Sequence, residues 1–235
     1  MDKTTEQKEL AKLIGKLLRD NFGRGPEFIY VSIADHYLVV YLKNFMSPME
    51  RILMDTGKED IVIKTRDTLI QTVYPEIKAY INMVTGLEVE EFYYDWGLQN
   101  QSGCLFCKCS NSVSNLQSIE LDYQGKQQLH DEIINLSKKV QKAPHEISSF
   151  LLDSRYLIIT REGILVAIEK EFIRLGLLEQ LRIAKSNVEK KYLHNNSHLE
   201  SILKNPIIDC FIGFNFHKDK IHFVFVLNPA TMRRK

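Results

Sequence analysis

Arg24 stands between two glycines in the string Gly23-Arg24-Gly25-Pro26, a combination able to hold an anion. Glycines let the backbone approach a ligand closely, and adjacent amides in such loops can form an anion-holding concavity. The planar fork of Arg24 suits a carboxylate, a phosphate or bicarbonate. Ser47, Glu50 and Arg66 follow along the chain, and Glu50 and Arg66 would complete a polar pocket with Arg24. A plainer reading serves the same residues. Gly23 then caps a helix, Pro26 stops it, and Arg24 tethers a carboxylate such as Glu50. Glu50 becomes a first-turn charge complementing a helix dipole, and Arg66 a solvated helix position. Both readings remain open at this level.

Other constellations are weaker. Cys104, Cys107 and Cys109 lie in one short run, but strand alternation puts Cys107 and Cys109 on one face and Cys104 on the other. A closed zinc site needs two ligand pairs, and Cys210 brings no second pair, so the thiols read as small core hydrophobes and no metal is expected. His194 and His198 are spaced to share a helix face, with His217 and His222 as distant helpers, but no glutamate stands between them as in zinc proteases. The glycine loop follows a helix and precedes a strand, the reverse of a dinucleotide fingerprint. No nucleophile elbow, phosphate-binding lysine loop or supported Cys/His pair is present, so no catalytic residue, cofactor or enzymatic activity is expected.

The elements that must position these residues come from hydrophobic periodicity. Leu10, Leu13, Ile14, Leu17 and Leu18 predict a helix started by Thr4 with Gln7 and stopped at Asn21 to Pro26. Phe28 to Ile33 and Tyr37 to Leu42 predict a hairpin turning at Ala34-Asp35-His36. Ser47-Pro48-Met49-Glu50 opens a short helix closed by Thr56-Gly57. A long helix over about Lys58 to Val84, with Ile61, Leu69, Val73, Ile77, Tyr80 and Ile81 on one side, should be kinked or divided by Pro75. Strands over Val89 to Trp96 and Cys104 to Cys109 complete the set, which makes the aromatic run Phe92 to Trp96 strand packing.

The same order then returns. A helix carries Leu129, Ile133, Leu136 and Val140, and Lys142-Ala143-Pro144-His145 takes the place of the glycine loop. A hairpin over Ile147 to Leu152 and Tyr156 to Thr160 follows, and Glu169 with Gly176 echoes Glu50 with Gly57. One helix over about Leu178 to Leu203 and strands over Ile207 to Phe216 and Lys220 to Leu227 end the chain. This predicts an α+β fold of two tandem units, each α-β-β-α-α-β-β with a four-stranded, mainly antiparallel sheet packed on helices, paired as a pseudo-dimer. The units are residues 1–112, with the Gly-Arg-Gly-Pro loop, and 119–235, a degenerate copy, joined by the Ser/Asn-rich stretch around Ser110 to Ser118.

The glycine loop, the hairpin, Met46-Ser47-Pro48-Met49-Glu50, Arg66 and Thr85-Gly86 together resemble the MpsC-like family of small bacterial proteins, over roughly Thr5 to Cys109. The resemblance implies an accessory or regulatory role in a membrane-potential-generating, cation-coupled system linked to bicarbonate uptake, with no established catalytic residues. It points to binding residues Gly23, Arg24, Gly25, Pro26, Ser47, Glu50 and Arg66, and to membrane transporter subunits, a small anion or a second copy of the chain as partners. The alternative is an enzyme or ligand-dependent regulator acting on a small anionic metabolite at the Arg24 loop.

Composition sets the outer bounds on the 235 residues. With 31 Lys+Arg against 30 Asp+Glu there is no global field for nucleic acid. No apolar run approaches the roughly 18 residues of a membrane span, and the first residues lack a secretion signal. The expected location is cytoplasmic or peripheral at the inner face of the membrane. The tail Arg233-Arg234-Lys235 offers fewer charges than anionic-surface recognition uses.

Overall fold

Amphipathic helices laid on one face of an antiparallel sheet build each half of the chain. A computed structural model describes residues 3–110, 119–194 and 196–229, and divides the chain into units Met1–Ser118 and Ile119–Lys235. In the first unit α1 (Lys3–Phe22) leads into strands β1 (Phe28–Ala34) and β2 (Tyr37–Lys43). Helices α2 (Pro48–Asp55) and α3 (Glu59–Thr85) follow, then β3 (Val89–Gly97), a single 3-10 turn at Leu98–Asn100, and β4 (Ser102–Cys109). The strands pair wholly antiparallel in the order β1-β2-β4-β3.

Alternation sorts the strand side chains between two faces. Leu38, Val40 and Leu42 of β2 join Leu105, Cys107 and Cys109 of β4 in the core beneath α1 and α3. Leu10, Ile14 and Leu18 supply it from α1, and Val62, Ile70, Val73, Ile77 and Ile81 from α3. The expected split of the cysteines holds, because Cys104 lies outside that cluster. Phe92 and Tyr94 pack toward it and Trp96 is part of it, so the aromatic run is strand packing as expected. On the other face Tyr37 and Tyr93 each stack on Phe106, with ring centroids 5.9 Å apart.

Several expectations need correction. Thr4 already lies inside α1, which is described from Lys3 onward. Pro75 does not divide α3, which runs unbroken for 27 residues. The proline is exposed, so the carbonyl it deprives of a donor can turn to water. The buried stripe of α3 also differs from the one expected. Ile61 is exposed and Leu69 half-buried, while Val62, Arg66, Ile70, Val73, Ile77 and Ile81 face inward.

The second unit repeats the plan with α4 (Lys126–Val140), β5 (Glu146–Leu151), β6 (Tyr156–Glu162), α5 (Ala167–Arg174), α6 (Leu178–His194), α7 (Ser197–Leu203), β7 (Ile207–Asn215) and β8 (Lys220–Leu227). Its sheet has the matching order β5-β6-β8-β7, again antiparallel throughout. Where one long helix was expected there are two, because the Asn196 side chain accepts from His198 N and starts α7 afresh. The repeat extends to the backbone. Left-handed residues recur at matching turns: Asn44 and Gly163, Gly57 and Gly176, Gly86 and Lys204, Gln101 and Asp219. An irregularity in register falls at Val89/Glu91 in β3 and at Ile207/Asp209 in β7. The expected joint at Ser110 to Ser118 and the basic tail fall, but for Ser110, outside the described residues.

One glycine sets how closely the core of the first unit closes. Gly103 pairs with Trp96 across β4 and β3, and a Cβ there would sit 2.7 Å from Trp96 Cε3. Gly103→Val should cost about 1–3 kcal/mol of stability through overpacking. Urea unfolding followed by fluorescence of Trp96, the only tryptophan in the chain, measures it. A loss below about 0.5 kcal/mol, within the range of surface substitutions, would show that the ring moves aside freely.

Candidate functional site

The expected polar site divides into a buried half and an exposed half. Arg66 has no exposed surface, although it lies on a helix otherwise buried through Val62, Ile70 and Val73. Its position, four residues from Val62 and four from Ile70, puts it on the core side, so it is not a solvated residue. Its Nε donates to Glu50 Oε1 at 2.6 Å, and its Nη2 donates to Glu50 Oε2 at 3.0 Å and to the Phe45 carbonyl at 2.5 Å. The guanidinium carbon lies 4.7 Å from the Phe45 ring centroid and 5.0 Å from that of Trp96, where cation–π attraction adds to the ion pair. Nη1 has no hydrogen-bond partner among the described residues. The next residue, Asp67, accepts from Trp96 Nε1 at 2.9 Å and fixes that ring.

Glu50 is held equally firmly from its own helix. Ser47 caps α2, its Oγ accepting from Glu50 N at 3.3 Å while Glu50 Oε2 accepts from Ser47 N at 2.7 Å. This reciprocal capping box, with Pro48 at the first helical position, is the expected helix start. Burial pushes the Glu50 carboxyl up, but the hydrogen bonds and charge of Arg66, with those from Ser47, outweigh it and leave it below the ordinary carboxylate value. The tether once open to Arg24 is thus taken by Arg66.

Arg24 lies apart. Gly23 takes a left-handed backbone with φ of 70° directly after α1, as a capping glycine does, and Pro26 is buried. Gly25 is fitted closely, since a Cβ there would stand 3.3 Å from the Gly15 carbonyl oxygen. Arg24 itself is exposed, and its side chain makes no hydrogen bond or ion pair among the described residues. It borders an open depression of about 270 Å³ with Pro48, Arg51, Ile52 and Asp55. The structure therefore brings Ser47, Glu50 and Arg66 together and leaves Arg24 on a separate rim. Phe45, Trp96 and Asp67, which complete the buried cluster, were not among the expected residues. The inward phase of Arg66 between Val62 and Ile70 on α3 was the signal that could have revealed a buried cluster.

The remaining candidates disperse. Burial raises the Cys107 thiol well above its ordinary value and, with the charge of Glu90, the Cys109 thiol to about 11. Such thiols are poor nucleophiles at neutral pH. His194 and His198 sit on different helices, His217 lies in a turn, and His222 is buried in β8 against Thr160. No group of three His, Cys, Asp or Glu side chains converges among the described residues.

The second unit keeps the ion pair in altered form. Lys185 Nζ donates to Glu169 Oε1 at 2.8 Å, and the two are 16 residues apart, as Glu50 and Arg66 are. Val166 replaces the capping serine, leaving only its amide to donate to Glu169 Oε2 at 3.0 Å. Gln141 Nε2 donates to the same carboxylate. A second buried pair joins Arg161 Nη2 to Glu189 Oε1 at 2.6 Å, with Arg161 Nη1 donating to Ser137 Oγ. Burial pulls the Lys185 ammonium below its ordinary value, opposed by Glu169 and Glu189.

Arg66→Ala leaves a buried carboxylate without its partner and should cost about 3–5 kcal/mol. Arg66→Lys, the arrangement of the second unit, should cost less. The lowered Glu50 carboxyl adds stability that is complete above the ordinary carboxylate pKa and is lost as pH falls through its folded value. Acid titration of unfolding stability should accordingly show a shallower low-pH limb in Glu50→Gln than in wild type. Equal limbs would remove Glu50 from the acid response.

Comparison with known proteins converges on the first unit. Residues 2–108 match the model of a family described as Na+-translocating membrane potential-generating system (MpsC). The Uncharacterized protein YbcI of Bacillus subtilis (strain 168) is 27% identical over 117 residues, which is 48% of this chain and 93% of that protein. No solved structure matches the chain. The matched span holds the capping box at Ser47, the Glu50–Arg66 pair and the Arg24 rim, and over that span, its first unit, the chain is similar to the MpsC family.

Proposed function

We propose that this chain is a non-enzymatic accessory or regulatory protein of a membrane potential-generating ion or bicarbonate transport system, acting at the inner face of the membrane by contact with transporter subunits. The family description supports the link to such a system. No helix among the described residues is long and apolar enough to cross a membrane. The observation that carries the reading is the fate of the polar residues. The groups with strongest chemistry, Glu50 and Arg66, are consumed by each other inside the unit, whereas Arg24 stands exposed and unpaired. Buried, mutually satisfied charges position elements, and exposed unpaired ones are available to another molecule.

A mild-crosslinking pull-down of tagged protein at native expression level tests this, run beside Arg24→Ala with partners identified by mass spectrometry. Recovery of a membrane transporter subunit by wild type, and its loss in the variant, is the expected result. Absence of any specific partner in both, or robust turnover of a metabolite by the purified protein, would overturn the reading.

A further inference from the structure

α2 buries none of its residues, and it turns two large apolar side chains outward, with Met49 67% and Ile52 64% exposed. They stand one helical turn apart and so share a face. The cations beside them are unspent. The side chains of Arg24 and Arg51 make no hydrogen bond or ion pair among the described residues, and neither does Asp55 at the rim. Glu50, the carboxylate in the same helix turn, is held by Arg66 and the Ser47 amide. The amide at the helix start that could receive an outside anion is already occupied by that carboxylate.

The second unit supplies an internal contrast. α5 begins and ends in step with α2, so Glu171 stands where Ile52 does and Arg174 where Asp55 does. These two pair with each other, Arg174 Nη2 to Glu171 Oε1 at 2.6 Å and Nε to Oε2 at 2.9 Å. Both copies expose an apolar residue at the first turn, Met49 and Ile168, but where the second has an exposed ion pair the first has Ile52 and an unpaired Asp55 beside two unpaired arginines.

We infer that the α2 face of the first unit, from Arg24 across Ile52 to Arg51, docks an acidic apolar segment of a partner protein: carboxylates flanking a branched or aromatic side chain. The inference rests on the accessory reading and names the chemistry of the partner at that site. Two guanidinium forks take carboxylates in bidentate geometry, and Pro48 and Ile52, which line the same depression, receive the apolar side chain, with exposed Met49 beside them on the helix. Charge complementarity favours this occupant over a lipid surface, which recruits clusters of four to eight basic residues, whereas here two cations share the rim with Asp55.

A photo-reactive phenylalanine analogue placed at Met49 of the full chain and irradiated in the native cells tests this by sequencing the captured peptide. The expected adduct is a peptide with acidic residues around an apolar one. Its yield should fall about tenfold or more in Arg24→Glu/Arg51→Glu, as loss of two charge-assisted contacts requires, and return when the captured acids are changed to lysine. Trp96 fluorescence verifies that each variant is folded. A basic or neutral peptide, a lipid adduct, no adduct, or an adduct indifferent to charge reversal overturns the inference. If the pull-down still recovers a membrane subunit, the accessory reading survives such a result; if it recovers nothing, both fall.

Discussion

A guanidinium with no exposed surface constrains everything around it. Arg66 can remain charged inside the first unit only where a carboxylate, a carbonyl and aromatic faces all reach it. Each comes from a different place in the chain: Glu50 from α2, the Phe45 carbonyl from the segment after β2, and Trp96 from the end of β3. The short helix α2 rests on the core through half-buried Leu53 and Met54, and the Glu50 carboxylate, fixed by its capping box, ties it to α3. A buried pair of this kind is a weak source of net stability and a strong source of definition, because every misplacement strands a charge. Gly103 belongs to the same arrangement, since it admits the Trp96 ring against β4.

That internal pairing also decides what the surface has to offer. Glu50, held by Arg66 and the Ser47 amide, is taken from both arginines at the surface. With Glu50 turned inward, both arginines and the apolar pair Met49 and Ile52 stay presented together. The inner and outer faces of one eight-residue helix are thus linked through a single side chain.

Most of the architecture was legible in the sequence, because period and punctuation are local. The hairpins, the capped start of α2, the turn glycines and the twofold order of elements follow from alternation, from Ser47-Pro48 and from glycines able to adopt left-handed backbone. Failures came where tertiary context overrides a local rule. Pro75 does not divide α3, and Asn196 restarts a helix that periodicity alone would continue. The plainer reading of Arg66 put it in solvent on the strength of its charge, although its spacing from Val62 and Ile70 puts it inside. The partition of the polar residues into a buried pair and an outer rim depends on which carboxylate reaches which arginine, and that is set by packing between segments far apart in the chain.

The altered ion pair of the second unit has an evolutionary meaning. A lysine has no fork, so the donors that Arg66 gives Glu50 reach Glu169 from two residues, Lys185 and Gln141, while the cap hydroxyl is gone. Arg161, Glu189 and Ser137 form a further buried set near them in the same unit. Residue identity at this pair thus differs between the units together with the groups that complete it. The turns record the opposite history. Lys204 and Asp219 keep left-handed geometry where Gly86 and Gln101 have it, so backbone shape has outlasted residue identity. A duplicated unit can in this way drift beyond the reach of sequence comparison while its chain path stays nearly unchanged.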